Sequence, residues 1–161
     1  MTDYYLDSSV AAHALLPDGD PRAATWMDQV ITNGGRLVAS RLLRLELTRL
    51  ARRDRMSLAA LEPVIARVDL AEIDRAAVDW AESIKPHVKA LDALHLATAW
   101  LLDPDLVVAT HDHTMAAAAV ELGLATLDPF AAEEPSQEDT GPPDDDRSPT
   151  AAKRLPAHRP K

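Results

Sequence analysis

Four carboxylates in this sequence stand where a carboxylate needs a reason. Asp7 ends the short run Tyr4-Tyr5-Leu6, and Asp112 follows the continuous apolar run Leu106–Ala109. Asp92 lies at the start of the apolar stretch Leu91–Leu102, with His95 one helical turn further on the same face. Glu46 interrupts the aliphatic series Leu42, Leu43, Leu45, Leu47, Leu50. Taken singly, each acid has an ordinary use. Asp7 and Asp112 are good helix N-caps, Asp92 is a first-turn acid that favours the helix dipole, and Glu46 suits a solvated helix position. Taken together they suggest a site, because acids at strand ends and acids on apolar helices can meet at one sheet edge. Open α/β sheets bind ligands at the carboxyl ends of their strands. Two carboxylates about 4 Å apart repel by about 4 kcal/mol at an effective dielectric of 20, so such a gathering calls for a cation. All-oxygen donors favour Mg²⁺ or Mn²⁺ over zinc. Such an ion can hold a phosphodiester and activate a water for in-line attack.

The elements that must position these acids follow from periodicity and caps. Tyr4–Asp7 reads as a short strand, and Asp7-Ser8-Ser9 caps a helix that Pro17 ends. Pro21 begins a second helix, with Asn33-Gly34-Gly35 as its stop. Leu37–Ala39 is a strand, and Ser40 is expected to cap a long helix running to about Arg55. Ser57 starts a further helix over Leu58–Arg67, Val68–Ile73 is strand-like, and Asp74 caps a helix toward Pro86. Leu91–Leu102 is apolar on nearly every face and is expected to be a buried helix. Leu106–Ala109 has the character of a buried parallel strand. A helix from His111–His113 to Gly123 and a last strand over Leu124–Leu127 complete the order. Strands alternating with helices argue for an α/β domain with a parallel sheet.

The chain of 161 residues is sized for one domain, and 47% apolar residues supply its core. With six aromatic residues, that core is built mainly of Leu, Val and Ala. The composition changes after about Phe130: residues 133–161 hold six of the twelve prolines and one large aliphatic residue, Leu155. Such a segment cannot bury enough surface to offset its ordering entropy. The expected organisation is a domain over residues 1–132 and a disordered, Pro-rich acidic and basic tail over 133–161. The absence of cysteine excludes disulfides, thiolate metal sites and cysteine nucleophiles. A formal charge of −9 disfavours membrane-surface binding and whole-surface nucleic-acid binding. No apolar run approaches the roughly 18 residues of a membrane span, and the acidic N-terminus lacks the basic and apolar regions of a signal peptide. A cytoplasmic protein is expected.

Four segments together resemble a known family: Tyr-Leu-Asp7-Ser-Ser9, Glu46 within Leu-Arg-Leu-Glu-Leu-Thr-Arg, Leu-Asp92-Ala-Leu-His-Leu-Ala-Thr-Ala, and Ala-Thr-His-Asp112. They look like the PIN domain, and most like the VapC-type toxins of bacterial toxin–antitoxin pairs, over residues 3–130. The resemblance implies a PIN-like α/β fold, a central parallel sheet flanked by helices on both faces. It implies a metal-dependent endoribonuclease whose acids bind Mg²⁺ or Mn²⁺. Carried onto this chain, Asp7, Glu46, Asp92 and Asp112 are the catalytic, metal-binding acids. In that scheme Asp7, Asp92 and Asp112 bind one ion, and Glu46 completes the cluster or positions a second. Ser9 and Thr110 match the small hydroxyl positions that accompany the acids. The resemblance also implies a cognate small antitoxin, VapB-like, over the active-site groove, an RNA substrate and a homodimer. His111 and His113 flank Asp112 where the family more often has an aromatic or aliphatic residue and a basic one.

Other residues have plainer readings. His95 suits a hydrogen-bonded core histidine that holds Asp92 or nearby backbone in place. On the arginine-rich helix from Arg36 to Arg55, Arg49 and Arg53 share a face with Glu46 and could steer RNA phosphates. Arg75, Lys85 and Lys89 are too scattered to assign. Trp26, Trp80 and Trp100 suit core or dimer packing. An aspartyl-phosphatase reading fails because Ser8-Ser9 follows Asp7 where an Asp-x-Asp is required, and a receiver-like reading fails for want of a late lysine. The remaining alternative is a PIN-like scaffold that binds RNA or antitoxin without cutting.

Overall fold

Tyr4, Tyr5 and Leu6 show how the sheet is built. They form β1 (Tyr4–Leu6), and because alternate residues of a strand face opposite sides, they divide between two cores. Tyr4 and Leu6 join one apolar cluster and Tyr5 joins the other. The computed structural model describes residues 1–131; the tail expected over 133–161 lies outside the described residues. β2 (Leu37–Ser40), β3 (Asp69–Ala71), β4 (Val107–Ala109) and β5 (Ala125–Leu127) complete a five-stranded sheet of order β3-β2-β1-β4-β5. Every neighbouring pair is parallel.

The helices are α1 (Ser8–Leu15), α2 (Arg22–Thr32), α3 (Leu42–Arg53), α4 (Glu62–Ile65), α5 (Arg75–Ser83), α6 (Ala90–Leu102) and α7 (His113–Glu121). On one face, α1 to α4 bury Val10, Leu15, Met27, Leu43, Leu47 and Ile65 against Leu6, Leu37 and Ala39. On the other, Leu96 of α6 and Met115 of α7 close over Tyr5 and Val108. The expected α/β architecture, a parallel sheet with helices on both faces, is the one observed.

Several local boundaries differ from the sequence reading. Ser40 does not cap α3 directly: it pairs with Ala71 as the last residue of β2, and Arg41, already helical, intervenes. Its hydroxyl nevertheless accepts the Leu42 N–H at 3.3 Å. α3 stops at Arg53 rather than Arg55. The helix expected over Leu58–Arg67 divides into a 3₁₀ turn, Leu58–Leu61, and the single turn of α4. Pro63 has no N–H for the Ala59 carbonyl, which accepts the Glu62 N–H instead. The strand expected over Val68–Ile73 shortens to β3, whose partners on β2 are only Val38–Ser40. The expected wholly buried helix is buried over Ala93 and His95–Ala99, while Trp100, Leu101 and Leu102 are exposed. A helix of 13 residues spans about 20 Å, whereas a three-residue strand such as β4 spans about 10 Å. The last turn of α6 therefore overhangs the sheet. There Trp100 stacks on Trp80 of α5, ring centroids 5.2 Å apart.

The topology prepares a crevice. From β1 the chain builds outward through β2 and β3, then returns to place β4 and β5 on the other side. The direction of winding reverses between β1 and β4, and ligands bind outside the carboxyl ends of strands at such a switch point. Leu6 stands opposite Ala109 in that pair, so Asp7 and Thr110 leave the sheet side by side.

Candidate active site

Asp7 is buried at the end of β1, where its N–H donates to the Ala109 carbonyl of β4 at 3.0 Å. Its side chain caps α1, with Oδ2 accepting the Ser9 N–H. The same oxygen accepts two hydroxyls, Ser9 Oγ at 2.5 Å and Thr110 Oγ1 at 2.8 Å. Each hydroxyl also accepts a backbone N–H from the loop after β4: Ser9 Oγ takes that of His111 at 2.9 Å, and Thr110 Oγ1 that of Asp112 at 3.1 Å. Asp112 in turn caps α7, its Oδ1 accepting the Thr114 and Met115 N–H groups. The capping use of both strand-end acids is therefore real. It occupies one oxygen of each.

Glu46 and Asp92 arrive from the two helical layers. Glu46 sits mid-way along α3, and Nε2 of His95 meets its Oε2 at 2.8 Å. Asp92 lies in the first turn of α6. Burial pushes its carboxyl above the ordinary value, and the negative charges of Asp7 and Asp112 push it further. Asp7, Glu46, Asp92 and Asp112 line one cavity of about 540 Å³, together with Ser9 and Lys89. The four acids predicted from sequence thus come together at the switch point, each from a different helix or strand end.

The donor chemistry of this cavity suits a hard divalent cation. Asp7 Oδ1, Glu46 Oε1, Asp112 Oδ2 and both Asp92 oxygens make no hydrogen bond within the described residues. No buried side-chain polar atom among those residues lacks a partner, so these oxygens are accessible in the cavity. Among the described residues, no three His, Asp or Glu side chains converge tightly enough to cage an ion unaided. The fit rests on donor type: an all-oxygen set suits Mg²⁺, which keeps several waters while one or two carboxylates hold it.

The Nε of Arg53 meets Asp54 at 2.8 Å on the exposed surface of the helix end. Arg49 is exposed and makes no ion pair among the described residues. Lys89, left unassigned from sequence, lines the cavity beside Asp92. Its position immediately before α6, three residues ahead of Asp92, was the available signal. His111 does not lie free: its Nδ1 meets Asp128 at 2.9 Å, and its ring packs edge-on to Phe130. His95 is fully buried, as a core histidine should be, but it meets Glu46, Tyr5 and Ser40 rather than Asp92. Strand alternation already put Tyr5 on the face that α6 covers, and that pairing was missed.

Comparison with known proteins agrees with this geometry. The PIN domain family model matches residues 4–121. Ribonuclease VapC46 of Mycobacterium tuberculosis strain H37Rv is 35% identical over 132 residues, spanning 80% of this chain and 99% of that protein. Ribonuclease VapC35 of the same species is 32% identical over 131 residues, 78% of this chain and 96% of that protein. Among solved structures, VapBC2 of Rickettsia felis bound to a promoter DNA fragment superposes with a TM-score of 0.64 at 10% identity, covering 78% of this chain and 98% of that one. A toxin–antitoxin complex from Klebsiella pneumoniae gives 0.60 at 16% identity, covering 80% and 99%. At such identities the structures speak for the fold, while the family model and the ribonuclease relatives speak for descent. With its parallel sheet and its acids gathered at the β1–β4 switch point, this chain belongs to the PIN domain family.

Proposed function

We propose that this chain is a Mg²⁺-dependent endoribonuclease, Mn²⁺ serving in place of Mg²⁺, and the toxin of a type II toxin–antitoxin pair. One observation carries the reading: four carboxylates from four separate elements line one cavity, in a PIN fold whose relatives at 35% and 32% identity are ribonucleases. Asp7, Asp92 and Asp112 would hold the ion, with Glu46 completing the set. When bound, the ion supplies charge neutralisation of a phosphodiester and activation of water for in-line hydrolysis. Ser9 and Thr110 fix Asp7 by donating to its Oδ2, leaving Oδ1 open. Lys89 stands at the cavity to meet a substrate phosphate, and Arg49 extends the basic surface along α3. In this reading the attacking group is water, so hydrolysis needs no covalent enzyme intermediate.

A VapB-like antitoxin over the cavity is the partner this reading requires, in line with the toxin–antitoxin complexes that share the fold. A homodimer and a cytoplasmic location belong to the same reading. Among the described residues no helix is long and apolar enough to cross a membrane. The domain boundary at residue 132 and the character of the tail belong to it as well.

The test is cleavage of a mixed transfer and ribosomal RNA pool by purified, antitoxin-free protein in Mg²⁺, Mn²⁺ or EDTA. Discrete fragments that vanish with EDTA and with Asp7→Ala establish the nuclease, and their ends identify the site cut. Folded protein that binds RNA or antitoxin but cuts nothing in either metal supports the scaffold reading instead. Cleavage surviving both EDTA and Asp7→Ala marks a contaminating enzyme.

A further inference from the structure

A chain of buried polar groups ends on Glu46, and the acid cluster alone does not account for it. The Ser40 backbone N–H, at the end of β2, meets Tyr5 Oη of β1 at 3.0 Å. Tyr5 Oη lies 2.9 Å from Nδ1 of His95 on α6. The other ring nitrogen, Nε2, lies 2.8 Å from Glu46 Oε2 on α3. Tyr5, Ser40 and His95 have no solvent exposure at all, whereas 23% of the Glu46 side chain remains accessible, in the cavity. The chain therefore crosses the sheet from one helical layer to the other, and only its last member reaches the site.

The directions of these hydrogen bonds follow from the donors. A backbone N–H can only donate, so Tyr5 Oη is the acceptor for Ser40. Burial keeps the Tyr5 phenol protonated, and the acceptor within reach of its O–H is His95 Nδ1. Ser40 Oγ, 3.4 Å from the same nitrogen, is a second hydroxyl directed there. A hydrogen on Nδ1 would leave the Tyr5 O–H buried with no acceptor, a state that folded proteins rarely tolerate. Nδ1 is therefore bare, the hydrogen sits on Nε2, and it is donated to the Glu46 carboxylate.

We propose that Tyr5 and His95 are positioning residues for the metal site: they lock one imidazole tautomer, which pins Glu46 Oε2 and presents Oε1 to the cation. The proposal rests on the reading of Glu46 as a metal-site acid. Glutamate is the longest of the four acids and sits on a helix side rather than at a strand end. Asp7 and Asp112 are fixed by backbone and hydroxyl donors of the two adjacent strand ends, β1 and β4. Glu46 has no such local donor, and the tyrosine–histidine chain supplies one from the far side of the sheet. Groups of this kind, donating to a metal-binding side chain from behind, commonly change affinity 10- to 100-fold when removed.

The experiment measures Mn²⁺ binding by calorimetry on RNA-free, antitoxin-free protein, with circular dichroism and thermal melting to establish folding. The expected result is a loss of roughly 10- to 100-fold in Mn²⁺ affinity for both Glu46→Ala and His95→Leu. The double variant should be no weaker than Glu46→Ala, because His95 acts only through Glu46. His95→Gln keeps an N–H where Nε2 stood and should restore affinity to within a few-fold of wild type. It also serves where His95→Leu does not fold. Independently of any metal, nitrogen-15 correlation spectra of the imidazole should show the His95 hydrogen on Nε2 with Nδ1 bare, and Tyr5→Phe should mix the tautomers. Wild-type affinity in folded His95→Leu, losses that multiply in the double variant, or a hydrogen on Nδ1 would overturn the proposal. Wild-type protein that binds no Mn²⁺, or binds it equally well as Asp7→Ala, overturns the metal reading itself. The tautomer spectrum then still decides whether the chain is built as described.

Discussion

Thr110 and Asp7 are joined by a hydrogen bond of 2.8 Å between two strand ends, Thr110 Oγ1 donating to Asp7 Oδ2. The same Thr110 oxygen accepts the Asp112 N–H at 3.1 Å, so one buried hydroxyl sets the spacing of two acids from different strands. Thr110→Val keeps the shape but leaves both partners short of a bond. The expected cost is about 1–3 kcal/mol of stability, since a buried donor or acceptor left unmet costs that much. Cleavage should fall with it, because Asp7 and Asp112 lose their common anchor. Thr110→Ser should recover most of both. Urea unfolding and RNA cleavage assays on the two variants check this. Equal damage from Ser and Val would show that the methyl group, and not the hydroxyl, matters.

Lys89 and Arg53 make a contrasting pair. Lys89 lines the cavity, while Arg53 is paired with Asp54 on the exposed helix end. Lys89→Ala should therefore raise the KM for RNA and lower the slope of log affinity against log salt by about 0.7, the loss of one phosphate contact on a single strand. Arg53→Ala should leave both nearly unchanged. Binding to a catalytically inactive Asp7→Ala background, measured across a salt series, separates the two. A larger slope change for Arg53 than for Lys89 would reverse the assignment.

What the sequence could reveal here depended on the range of each interaction. Asp7, Asp92 and Asp112 were recognisable because each sits at an element boundary marked by local pattern, and strand alternation with helices implied a shared edge. The identity of their supports was harder to read. Tyr5 and His95 are 90 positions apart and meet only because α6 crosses β1. From spacing alone His95 reads as a core histidine holding Asp92 or nearby backbone, whereas it meets Glu46 across the core. The split at Pro63 was visible in principle: a residue without an N–H cannot continue an α-helical ladder.

The Asp3–Arg36 pair sits at the opposite, amino-terminal edge of the sheet. Asp3 accepts the Arg36 backbone N–H at 2.9 Å and its guanidinium at 2.7 Å, joining the starts of β1 and β2. The side-chain bond from Arg36, seconded by its backbone bond, holds the Asp3 carboxyl below the ordinary value of 3.8. A carboxyl depressed in the folded state stabilises it above the unfolded value, and that contribution disappears as pH falls through the folded value. Asp3→Asn should therefore be less stable than wild type at pH 6, and the two should converge as the pH is lowered below 3.8. Urea midpoints across pH 2.5–6 follow the convergence. The difference should be small and should shrink in high salt, since the pair is partly solvated. A difference that grows in acid would contradict the sign.

Arg55 is the one non-glycine residue with positive φ among those described, at +57°. It stands at the end of α3, where the Met56 N–H returns to the Ala51 carbonyl and the Arg55 N–H to that of Arg52. Gly34 and Gly123 occupy the equivalent place after α2 and α7, with φ of +81° and +84° and the same pair of return bonds. All three helices thus end in the same left-handed motif, but α3 uses an arginine. A side chain in that conformation costs roughly 1–2 kcal/mol. Glycine relieves it but loses about 0.5–1 kcal/mol through the greater freedom of the unfolded chain. Arg55→Gly should therefore stabilise the protein by about 0.5–1 kcal/mol. Arg55→Ala should not, because it keeps the Cβ that creates the strain. The residue is exposed and stands outside the cavity, so cleavage should be unaffected. Thermal and urea unfolding of the two variants decide the matter: equal gains from Gly and Ala would place the cost in the arginine's charge beside Arg52 and Arg53 rather than in its backbone.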